Sequence, residues 1–219
     1  MVGMRVERGV ASLKVRAVVA QALLALFLLV TLLVAVGTAY MAVQEIQTGY
    51  SSYLITLPVF SFYIALAFLP AAIALTCWVW RAHANLYADQ LDGLTTSPTW
   101  AALGLWMPIA NLVMPKGAMR ELWNRSHGEE AWFAQQSVDA VNSWWTCYVV
   151  GIVILSVLTG IVIVDRITPF MFLTPPGTNM LAMAFASSLL AGSAWLLIRI
   201  VSRITRAQET VTTVGDTFA

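Results

Sequence analysis

Residues 17–43 read AVVAQALLALFLLVTLLVAVGTAYMAV, 27 consecutive residues without Asp, Glu, Lys, Arg or His. A helix needs about 20 predominantly apolar residues to cross the hydrocarbon of a bilayer. A helix at the surface of a soluble domain keeps a polar face, and this stretch has no charge on any side. Three more stretches read the same way: residues 53–80, 144–164 and 180–198 also lack charged residues. The first two stretches exceed the minimum, so they are expected to tilt or to project beyond the core. The sequence therefore predicts an all-α fold, an integral membrane four-helix bundle.

Composition points the same way. Of 219 residues, 59% are apolar and only 11% charged, where a soluble domain carries about 25% charged residues. So few charges cannot cover a water-facing surface, and lipid must cover much of it. Trp and Tyr, at nine and six residues, suit the headgroup level of a membrane. A net charge of +1 gives no electrostatic basis for binding nucleic acid.

Orientation follows from the basic residues. Eleven of the twelve Lys and Arg flank the four stretches on one side, and only Arg166 falls on the other. Basic residues accumulate on the cytoplasmic side, which predicts both termini inside. Residues 1–16 then form a basic cytoplasmic N-terminus and 17–80 a first transmembrane hairpin. Residues 81–143 form a cytoplasmic loop, 144–198 a second hairpin and 199–219 a cytoplasmic tail. In the tail Arg199, Arg203 and Arg206 share one helical face suited to anionic lipid. Beyond about Ala207 the chain is polar and Thr-rich, and is expected to be disordered. Gly37-Thr38-Ala39 offers the small-residue spacing of a signal cleavage site, but the apolar run is far longer than a signal core of about 7–15 residues.

Within the spans, Pro58 lies near a helix start, where a missing N–H matters little. Pro70 lies mid-helix and should kink it. Ala184, Ser188 and Gly192, and likewise Ser156 and Gly160, recur every four residues. Such faces allow close helix approach and are expected to pack inside the bundle, a dimer face being the alternative. The absence of ionisable residues from the spans argues against ion- or proton-coupled transport, which needs a charge there. Cys77 and Cys147 read as small buried thiols; two cysteines beside a solitary His83 do not make a zinc site.

The 63-residue loop is the specific part of the chain. It opens with Arg81 and Asn85 on one face of a continuing helix, followed by an Asp92-Gly93 turn. Ser97-Pro98 reads as an N-cap and first helical residue. Residues 100–114 carry no charge but are short for a span and are interrupted by Pro108, which suggests an interfacial or re-entrant segment. From Pro115 an amphipathic interfacial helix is expected, with Met119, Leu122 and Trp123 on its apolar face. Arg120, Glu121, Asn124 and Arg125 form its polar face, and Gly128 stops it. Glu129-Glu130 reads as a solvated pair.

Four motifs run through residues 78–126: Trp78-x-x-Arg81-x-x-x-Asn85-Leu86, Ser97-Pro98, Pro108-Ile109-x-Asn111-Leu112-x-x-Pro115, and Met119-Arg120-Glu121-Leu122-Trp123. Together they resemble the bacterial membrane family catalogued as domain of unknown function 4328. The resemblance implies a polytopic protein of the bacterial inner membrane, and no activity comes with it.

The candidate contact residues are thus Arg81, Asn85, Pro108, Asn111, Arg120, Glu121 and Trp123. The Asn111 amide either serves backbone groups left unpaired at the Pro108 bend or meets a ligand. Arg81 and Arg120 either hold an anion such as a lipid phosphate, or pair with Asp89 or Glu121, or snorkel. No nucleophile–base pair, metal motif or phosphate loop is present, so no catalytic, metal or cofactor site is assigned. The reading that fits best is a membrane scaffold or regulatory module presenting its loop to a protein partner. The alternatives are a binder of lipid or a small hydrophobic ligand, an oligomeric channel or transporter, and, last, an intramembrane enzyme.

Overall fold

In the computed structural model, which describes residues 2–89, 91–107, 110–169, 172 and 174–217, every regular element is helical. Six α-helices follow in chain order: α1 Val2–Thr48, α2 Tyr53–Ala88, α3 Pro98–Leu103, α4 Met114–Ser126, α5 Asp139–Ile167 and α6 Thr178–Thr217. Short 3₁₀ turns at Ala110–Leu112 and Ala131–Phe133 complete the segment between α2 and α5. Helices α1, α2, α5 and α6 are each long and apolar enough to cross a membrane. Among the described residues no other helix is.

The chain divides into two compact units. The first comprises residues 1–24, 70–143 and 196–219; the second comprises 25–69 and 144–195.

Much of the second unit's outer surface is apolar. Outward-facing Leu33, Val36, Phe62 and Leu66 stand exposed, as expected where lipid rather than water is the solvent. Phe27 and Phe68 meet edge to face at 5.7 Å. Helices α5 and α6 approach closely at Gly151, where an added Cβ would sit 3.0 Å from Leu190 Cγ and 3.2 Å from the Ala186 carbonyl. The small-residue expectation holds only in part. Ala184 is buried, and an added Cβ on Gly192 would reach Cys147 Sγ of α5 at 4.0 Å. Ser156 and Ser188 are exposed, and an added Cβ on Gly160 would meet nothing within 4 Å. The buried side of α6 also carries Ala186, Ser187, Leu190, Ala191 and Ala194. Four-residue spacing shows that close approach is available, but not toward which neighbour.

At one end of this unit, two carboxylates hold the turns. Glu45, 4% exposed, accepts from the Ser52 N–H (2.7 Å) and hydroxyl (2.8 Å), the Ser51 hydroxyl and the Gly177 N–H (3.0 Å). Asp165 accepts from the Tyr53 hydroxyl at 2.6 Å and the Phe172 N–H at 2.9 Å. Glu45 lies in the last turn of α1, where a negative charge opposes the helix dipole. That mismatch fits a carboxylate that serves the turns rather than its own helix.

In the first unit α1 is already helical before residue 17. Leu13 is fully buried there, and Lys14 pairs with Glu209 at 3.3 Å. The disordered tail expected beyond Ala207 is not found: α6 continues to Thr217. Gln208 is buried and hydrogen-bonded, which anchors the helix past the point where its apolar pattern ends. Cys77, expected to be buried, is exposed, and Cys147 is partly exposed. Cys77 faces outward beside the fully buried Trp78.

Candidate functional site

The segment between α2 and α5 is built around three buried polar side chains of the first unit. Gln208, 7% exposed, donates to the Ala82 carbonyl (3.2 Å) and the Ser126 hydroxyl (2.9 Å) and accepts from the Asn85 amide (3.1 Å). Three helices, α2, α4 and α6, therefore meet at one carboxamide. Such groups are costly to bury unpaired and cheap once satisfied.

Glu121 is fully buried. Its carboxylate accepts from the backbone N–H groups of Thr95 and Thr96 and from the Thr95 hydroxyl. Asn124, one turn along, donates toward the carbonyls of Phe133, Ala134 and Gln136 at 3.0–3.1 Å. Arg125 donates to the carbonyls of Asp92 and Glu129, both at 2.8 Å. These bonds correct the expected polar, water-facing side of this helix. Glu121 and Asn124 point into the flanking strands of loop and fix their paths, because loop backbone left under a helix needs partners.

The expected signposts Ser97-Pro98, Asp92-Gly93 and Gly128 are present. Ser97 caps α3 by accepting from the Trp100 N–H at 3.3 Å, and Pro98 opens the helix. Gly93 turns the chain at φ +75°, with no room for a Cβ against Ala131. Helix α4 ends at Ser126, and Gly128 follows at φ +83°. Trp106 donates to the Thr76 hydroxyl at 2.9 Å, which ties the apolar stretch after α3 to α2. Pro108 lies outside the described residues. The Asn111 N–H donates to the Met107 carbonyl at 2.6 Å as the chain enters the 3₁₀ turn.

Arg81 and Asn85 share a face of α2, as their spacing predicts, and α1 packs against it at Gly9. Arg81 Nε donates to the Gly9 carbonyl at 3.3 Å. A Cβ on Gly9 would collide with the Arg81 guanidinium and lie 2.8 Å from Asn85 Oδ1. Among the described residues Arg81 pairs with neither Asp89 nor Glu121; its partner is a carbonyl. Trp78 donates to the Thr205 hydroxyl at 3.1 Å. Trp123 stacks on His127 at 4.7 Å, and Arg203 lies 5.9 Å from its ring. Buried His83 shares a hydrogen bond with the Val79 carbonyl through Nδ1.

Most motif residues thus hold the fold together. Arg120 differs. Among the described residues its one hydrogen-bond partner is the neutral Gln135 side chain, at 3.3 Å, and its Nε, like that of Arg125, is buried without a partner. Lys116, one turn earlier, lies on the same face. Both line an open cavity of about 390 Å³ together with Trp100, Val113, Met114 and Gln135. Sequence reasoning singled out Arg120 but missed Gly9, Lys116 and Gln208. Gln208 lies 123 residues from Asn85, and no local pattern connects the two.

An all-helical chain with four membrane-length apolar helices and a braced segment between the second and third fits the class of polytopic membrane proteins. A family model described as Domain of unknown function (DUF4328) matches residues 55–206, and the chain belongs to that family. No curated protein and no solved structure matches it.

Proposed function

We propose that this protein is a scaffold or regulatory module of a bacterial inner membrane that presents the segment between α2 and α5 on the cytoplasmic side. One observation carries the reading: the segment is braced from within and holds an open aromatic pair, Trp132 and Phe133, on its outer side. Glu121, Asn124 and Gln208 hold its inner side. On its outer side Trp132 is 88% exposed beside Phe133, next to the exposed pair Glu129-Glu130. A Trp that leaves so much apolar surface in water on a preset backbone is the anchor type that dominates protein interfaces. The distribution of Lys and Arg supports the cytoplasmic placement.

The test is a photo-crosslinking residue at position 132 in the native membrane, with position 153 in α5 as the lipid-facing comparison. A discrete protein adduct from 132 alone is expected. Lipid adducts from both positions, with no protein adduct, would replace the scaffold reading by one in which this edge dips into the membrane.

A further inference from the structure

We infer that the cavity beside α4 is a binding site for an anionic lipid, with Lys116 and Arg120 as its headgroup cradle. The cavity, of about 390 Å³, is in the range of small-ligand sites, large enough for a phosphate and the first methylenes of an acyl chain but not a whole lipid. Two cations line it, and among the described residues no carboxylate does. The nearby carboxylate that could neutralise them, Glu121, is committed to the Thr95 and Thr96 backbone. Among the described residues Arg120 has the neutral Gln135 as its one partner and keeps a buried, unpaired Nε. A half-buried guanidinium without a counter-charge calls for an anion with acceptor oxygens.

The other wall specifies the rest of the ligand. Val113 is 72% exposed, and Trp100 and Met114 stand open beside it. A free phosphate has no use for these three side chains; an amphiphile covers them while its head meets the cations. The inference rests on the proposed membrane placement, with residues 100–126 at the bilayer surface as their sequence suggests, but not on which side of the membrane that surface faces or on any protein partner.

Gly117 lines the same cavity, and a Cβ added there meets nothing within 4 Å. Gly117→Leu therefore puts a side chain into the site from a Cβ that meets no neighbour, and Leu also suits a helix better than Gly. The experiment uses the full chain, delipidated in an uncharged detergent, with lipid retention read by native mass spectrometry and folding by thermal midpoint. Phosphatidylglycerol is expected to be retained at least fivefold better than phosphatidylcholine of the same chains. The Lys116→Gln/Arg120→Gln double variant and Gly117→Leu should each lose at least fivefold of that retention, with thermal midpoints of the lipid-free protein no lower than wild type. Lys14→Gln, which removes an exposed cation elsewhere on the first unit, should keep it. Retention in the double variant within twofold of wild type would overturn the site, as would equal loss in Lys14→Gln, which marks general surface attraction. Protection by inorganic phosphate equal to that by lipid would make it a free-anion site instead. Because retention in detergent is blind to topology and to partners, this test can fail while the scaffold reading stands, and the reverse.

Discussion

The side chains of Asn85 and Gln208 meet at 3.1 Å although they lie 123 residues apart. This bond joins the far ends of α2 and α6, and the same carboxamide reaches Ser126 at the end of α4. It explains why α6 extends beyond its apolar stretch: the extension carries the group that closes the first unit. Most of the recognisable motif pattern serves the same end, since Trp78, Asn85, Ser97, Glu121 and Trp123 each have a packing or hydrogen-bonding partner within this unit.

Gln208→Leu should therefore destabilise the protein. It strands the Asn85 amide and the Ser126 hydroxyl in a buried place, at a cost of about 1–3 kcal/mol. Tryptophan fluorescence during thermal unfolding in detergent reads this directly. Ending the chain after Arg206 should lower the midpoint at least as far, whereas removal of a dispensable tail would leave it unchanged. In a double-mutant cycle, Asn85→Ala and Gln208→Ala should show a coupling of about 0.5–3 kcal/mol.

Glu121→Gln is a near-isosteric change that should nevertheless be harmful. The two carboxylate oxygens face the N–H groups of Thr95 and Thr96. An amide can present only one oxygen and sets an NH₂ group against the other N–H. The expected loss is about 1–3 kcal/mol, with increased proteolysis between residues 90 and 98 as the local signature. Unchanged protease resistance would mean that the turn is held by other contacts.

The four long helices were legible in the sequence because each charge-free run exceeds what a soluble helix tolerates. The signposts Ser97-Pro98, Asp92-Gly93 and Gly128 were legible because each acts through its own backbone geometry. What the sequence hid were directions. On α4, Glu121 and Asn124 sit opposite Leu122 and read as a wet face, yet loop backbone covers them. On α6, the small residues at 184, 188 and 192 mark one face of the helix, but the close neighbour comes from Gly151 onto Ala186 and Leu190. Long-range partners such as Gly9 for Arg81 leave no trace in spacing. Arg120 was visible as a cation, but only its surroundings show that it lacks a counter-charge.

Gly177→Ala should damage the second unit. Gly177 sits at φ +83°, and a Cβ there would lie 2.8 Å from the Ala42 carbonyl and 2.7 Å from Ile46 Cγ1. Moving the turn away would also withdraw the Gly177 N–H from Glu45. Strain at positive φ and the lost bond together should cost about 2–4 kcal/mol. Glu45→Gln, which keeps the backbone relaxed, should cost less; if it costs as much as Gly177→Ala, the carboxylate rather than the turn geometry dominates this end of the unit.

The proposed topology makes the two ends of the molecule chemically distinguishable. Tyr50, 70% exposed, lies in the turn between α1 and α2. Glu130 is exposed in the segment between α4 and α5. With Cys77 and Cys147 replaced by Ala, single cysteines at positions 50 and 130 should respond oppositely to a membrane-impermeant maleimide applied to intact spheroplasts. Position 50 should label at once, and position 130 only after the membrane is opened. The argument depends on charge: eleven basic residues on the side of position 130 resist translocation, and Arg166 alone on the other does not. Labelling of both positions in intact spheroplasts would place the braced segment outside. A partner would then have to be sought on the outer side, while the hydrogen-bond network that shapes the segment would stand as it is.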